Sequence, residues 1–97
     1  MKFAWNTALV DLEDQEVKDQ NGNSVSLGVM AIRALTAPDA REIPGEEKVK
    51  RFIAAQKIQT GHDLDLTEAA LVKDIVGRML SPLPVGRIWD LLERPIA

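Results

Sequence analysis

The sequence predicts an α+β domain, with a small antiparallel β-meander or hairpin at the N-terminus packed against three to four α-helices. Three observations carry this. Residues 2–12 alternate their apolar side chains on a two-residue period, Asn21-Gly22 is a hairpin-turn dipeptide, and from Ser26 onward the apolar spacing becomes that of helices. At 97 residues the chain predicts a single globular domain, β-rich over residues 1–25 and mainly helical over 26–97.

In the first run, Lys2 to Leu12, Phe3, Trp5 and Leu9 share one face and Ala4, Ala8 and Val10 the other. A second short run, Gln15 to Asp19, follows an acidic turn at Glu13-Asp14, and a type I′ turn at Asn21-Gly22 completes the meander. Ser26 is an N-cap for a helix from Leu27 to about Ala37, stopped by Pro38. With Arg33 its only charge, that helix is apolar nearly all round, which predicts the buried central element. Pro38 to Glu47 reads as a linker. The helix after it, Glu46 to about Gln59, has Val49, Phe52 and Ile53 as its apolar stripe, with Lys48, Lys50, Arg51 and Lys57 mostly elsewhere.

The alternating "GHDLDL" predicts a short strand joining the N-terminal sheet. Thr67 is then the expected cap of a helix in which Val72, Ile75, Val76 and Met79 repeat at amphipathic spacing. Ser81 to Pro95, "SPLPVGRIWDLLERP", is a helix fenced by proline, with Val85, Ile88, Trp89 and Leu92 on one face and Arg87 and Arg94 on the exposed side. No internal repeat or low-complexity segment is evident.

Composition excludes several chemistries. There is no cysteine, which removes disulfides, thiolate nucleophiles and sulfur-ligated zinc and suits a reducing compartment. No apolar run is long enough to span a bilayer, and the N-terminus has no secretory h-region, so the expected location is a cytoplasm. The net charge of −3 is uneven: residues 1–43 hold seven acids against four bases, while the remainder balances. A mildly acidic chain is a poor start for binding a phosphate backbone.

His62 is the only histidine, too few for a catalytic dyad or a histidine-ligated metal, and it reads as a loop residue beside Asp63. The run Asp11, Glu13, Asp14, Glu16 and Asp19 lacks the glycine position and closing glutamate of a calcium loop. Phosphate-loop and dinucleotide patterns are absent, so Gly28 is expected to serve close packing. No catalytic, cofactor-binding or metal-ligating residue is therefore expected, and no cofactor. Lys48, Lys50, Arg51 and Lys57 offer the alternative, a small nucleic-acid-binding regulator using the basic helix 46–59, though Glu46 and Glu47 oppose it. The residues singled out for a protein interface are Trp89, Arg87 and Arg51, with Glu13, Asp14, Glu16 and Asp19 as an acidic display. Self-association through the Trp89 stripe is the further option.

The segments "VSLGVMAIRALTAP", "GEEKVKRFIAAQKI" and "LDLTEAALVKDIVGRMLSPLPVGRIWDLLE" resemble a family of small proteins, of about a hundred residues, from tailed bacteriophages and prophages. Leu27-Gly28, Gly45 to Arg51, Leu71 to Gly77 and Pro82 to Glu93 carry the resemblance over nearly the whole chain; Pro84 departs from it. The resemblance implies a phage protein in the host cytoplasm, or one associated with the virion. With no catalytic group to assign, the expected function is a non-enzymatic protein-binding module. It would be either a virion (tail or head) assembly accessory factor or a small inhibitor of a host protein such as a defence complex. Its partner would accordingly be a phage structural protein or a host protein.

Overall fold

The computed structural model describes residues 1–96, and it overturns the α+β expectation. Four helices build the domain: α1 (Leu27–Thr36), α2 (Gly45–Thr60), α3 (Leu66–Met79) and α4 (Pro82–Leu92). Among the described residues there is no sheet, and residues 1–25 are not β-rich. Backbone pairing there is limited to three isolated antiparallel bridges, Val10 with Glu16, Lys18 with Ser24, and Ala8 with Ser26.

The reason is a device repeated every eight residues. The Asp11 carboxylate accepts hydrogen bonds from the amides of Glu13 and Gln15 at 2.8 and 3.0 Å. Eight residues on, the Asp19 carboxylate accepts from Asn21 and Asn23 at the same two distances. Each loop bends through a residue at positive φ, Asp14 (62°) in the first and Gly22 (79°) in the second. These side-chain-anchored turns replace the expected type I′ hairpin, because Asn21 stays out of the left-handed region. An extended run therefore ends after a few residues, too soon to form a ladder.

The pairing closes on itself. The amide of Leu9 donates to the carbonyl of Val25 (2.7 Å), that of Val25 to Val17 (3.4 Å) and that of Val17 back to Leu9 (2.9 Å). Leu9, Val17 and Val25 are eight residues apart, so three strand-like pieces meet in a ring. The sequence conceals this repeat because only its valine or leucine and one aspartate recur.

Ser26 caps α1 as expected, its hydroxyl accepting from the Val29 amide at 3.1 Å. The helix buries Leu27, Gly28, Ala31, Ala34 and Leu35 and packs on all three other helices, so it is the central element. Gly28 permits the closest approach: its amide donates to the Trp5 carbonyl at 2.8 Å. A Cβ there would lie 2.9 Å from that oxygen. Trp5 and Phe3 meet edge to face, their centroids 5.9 Å apart, and close the core beneath α1.

The cap of α3 is Asp65 rather than Thr67. Its carboxylate accepts from the Glu68 amide and the Glu68 carboxylate accepts from the Asp65 amide, a reciprocal capping box. Val72, Ile75 and Val76 are buried from α3, as their spacing predicts, and Ile88 from α4. "GHDLDL" forms no strand; Leu64 instead exchanges two hydrogen bonds with Met1 (2.6 and 2.9 Å). The radius of gyration is 13.1 Å, close to the roughly 13 Å of one domain this long.

Candidate functional site

The feature that the folding pattern leaves unexplained lies on α2. The predicted inward stripe of Val49, Phe52 and Ile53 points to solvent, with 56, 60 and 40% of each residue exposed. The buried face is instead Arg51, Ala54, Ala55 and Ile58, which share the i, i+3, i+4, i+7 spacing. Two alanines let α2 approach α1 closely, where Phe52 and Ile53 would hold it away. Small residues and one arginine, at helical spacing, were the signal that reading by side-chain size passed over.

Arg51 can turn inward because its charge is met there. Its guanidinium lies 3.1 Å from the Asp39 carboxylate and 2.6 Å from Glu47, with 3% of its side chain exposed. Arg78 of α3 reaches the same Asp39 oxygen at 3.3 Å. The Arg41 amide donates to Asp39 at 2.9 Å, and that bond, with the Arg51 and Arg78 guanidiniums, holds the Asp39 carboxyl down at about 2 against the opposing effect of desolvation. The linker after α1 is thus pinned to α2 and α3 by one carboxylate. Arg51 is a structural residue, and the expectation that it faces a partner is corrected. One atom, its Nε, is buried without a protein partner.

Of the other singled-out residues only Arg87 and Asp14 meet, Nη2 to carboxylate at 3.9 Å; the rest are scattered. Arg87 was expected on the exposed side of α4, but its Nε donates to the Val10 carbonyl at 3.1 Å and its Nη2 to the Asp11 carbonyl at 2.6 Å. It clamps the first N-terminal loop onto α4, sharing the Asp11 carbonyl with the Asp14 amide, which donates to it at 3.1 Å. Trp89 is 39% exposed and is held at the α3–α4 seam. Its Nε1 donates to the Lys73 carbonyl at 3.1 Å, the Lys73 ammonium sits 4.7 Å from the ring centroid, and the ring covers Gly77.

Glu13, Asp14, Glu16 and Asp19 are all exposed on the two repeated loops. Asp19 is occupied in its own turn, and Glu16 accepts from the Ser24 hydroxyl and from Lys18, bonds that lower its pKa. Among the described residues no three imidazole or carboxylate side chains gather as a metal site would require.

The basic helix does not present its four cations together. Arg51 is internal and Lys57 is held 2.7 Å from Glu68, which leaves only Lys48 and Lys50 outward and unpaired among the described residues. No helix among the described residues is long and apolar enough to cross a membrane.

A cleft borders each side of α2's outward face. One, of about 540 Å³, lies against the α1–α2 linker and includes Leu35, Pro38, Glu42, Ile43, Lys48 and Phe52. The other, also about 540 Å³, lies toward the start of α3 and includes Pro44, Glu46, Lys50, Ile53 and Leu71. The outcome is an apolar ridge between two grooves. Comparison with protein-family models, characterised proteins and solved structures finds no match to this chain.

Proposed function

We propose that this protein is a non-enzymatic protein-binding module of the tailed-phage kind, acting in the host cytoplasm or on the virion. It works by covering a surface on another protein molecule with the outward face of α2. One observation carries the reading: Val49, Phe52 and Ile53 stand together in water on one helix face while Arg51, Ala54, Ala55 and Ile58 fill the core side. Covering side chains already more than a third exposed would contribute roughly 3 kcal/mol of gross driving force. The ridge resembles the anchor stripe of helix-in-groove recognition, where residues at i, i+3 and i+4 enter a partner. Two settings fit, an accessory role in tail or head assembly and the masking of a host protein, a defence complex among them; neither needs a catalytic group.

The test is capture from lysate of infected host cells with the tagged parent chain and with Phe52→Glu. A phage structural protein or a host complex retained by the parent and lost by the variant supports the reading, and which of the two is retained selects the setting. If both chains retain the same proteins in equal amount, the α2 face is not the contact.

A further inference from the structure

We propose that, while that partner is absent, the α2 face is occupied by a second copy of this chain, related to the first by a two-fold axis and displaced when the partner binds; this rests on that face being the contact surface. The shape is complementary to itself. A ridge that stands beside a groove on one molecule can seat in the groove of a copy while the copy's ridge seats in the first, which is the isologous arrangement. Phe52 stands at the edge shared by the ridge and the linker-side cleft. It is the side chain best placed to cross into the copy, against Pro38 and Ile43.

The charges agree. Glu42 and Lys48 border this same cleft, and among the described residues neither makes an ion pair or a side-chain hydrogen bond. Of the two arginines lining the cleft, Arg51 is committed to Asp39 and Glu47, while Arg41 is turned largely to solvent, 3.9 Å from Asp39 with 62% of its side chain exposed. A two-fold through the cleft brings Glu42 of each copy toward Lys48 of the other, two equivalent pairs per dimer. An unrelated partner would need to carry the opposite pattern; a second copy carries it by symmetry. One helix face and one cleft make a small interface, at or below about 1,200 Å² in total, so the dimer is weak and depends on concentration.

The experiment is sedimentation of the full chain through a micromolar concentration series, with far-UV circular dichroism to show that each variant is folded. The parent should pass from monomer to dimer. Phe52→Glu should remain monomeric at every concentration, and Lys48→Glu should weaken the dimer about tenfold, since one substitution sets two like charges together twice. The double variant Glu42→Lys/Lys48→Glu should return the dimer to within about threefold of the parent, the pairs being reversed but intact. A parent that stays monomeric throughout overturns the proposal, as does a double variant no better than Lys48→Glu alone. If the parent is monomeric yet Phe52→Glu still loses a captured protein, the second copy falls and the α2 contact stands. If neither measurement responds to Phe52→Glu, both fall.

Discussion

At Gly28 the choice of residue follows from two distances. Its amide reaches the Trp5 carbonyl at 2.8 Å, and a Cβ would meet that oxygen at 2.9 Å and the Trp5 Cβ at 3.1 Å. Backbone cannot yield there as a flexible side chain could, so Gly28→Ala should destabilise the domain by about 2 kcal/mol despite alanine's better helix propensity. A urea titration of the two proteins checks this, and an unchanged midpoint would show that the N-terminal segment moves aside freely. The sequence made this role legible, because a glycine near a helix start, outside any phosphate motif, has close packing left to it. Arg51 was not legible. Its inward turn depends on Asp39, twelve positions away in a linker, and no local pattern marks such a pair.

At the scale of elements, three of the four helices could be read from spacing. Val72, Ile75 and Val76 in α3 and Ile88 in α4 are buried where their periodicity places them, and Ser26 caps α1. For α2 the boundaries were legible and the buried face was not, since the largest apolar residues lie on the wrong side to fill the core. The join between elements also predicts a pH response. Asp39 ties the linker to α2 and α3, and its carboxyl is held down at about 2 against an ordinary 3.8. Because the folded value lies below the unfolded one, this contribution is complete above about pH 4 and is lost as pH falls toward 2. Unfolding midpoints measured from about pH 5 to pH 2 should fall more steeply for the parent than for Asp39→Asn, which has no carboxyl to protonate there. Parallel curves would remove Asp39 from the acid response.

For the molecule as a whole, α1 is the part on which the others depend, touching α2, α3 and α4 while the Phe3–Trp5 pair covers its start. Leu35→Asp places an unpaired charge where only 3% of the residue is exposed, and should abolish the cooperative melting transition. A variant melting within about two degrees of the parent would mean that α1 is not central. The architecture was only half legible, because the N-terminal third has the alternation and turn residues of a meander while its aspartates bend the chain too often for one. That bending has a consequence for recognition. An open meander would leave an outer strand whose free amides and carbonyls could be extended by an incoming peptide or could seed aggregation. In the Leu9–Val17–Val25 ring each residue donates to one neighbour and accepts from the other, so these three residues have no free backbone groups to offer an added strand. Strand addition through Leu9, Val17 and Val25 is therefore closed, because the amides and carbonyls an incoming peptide would need are already spent on one another.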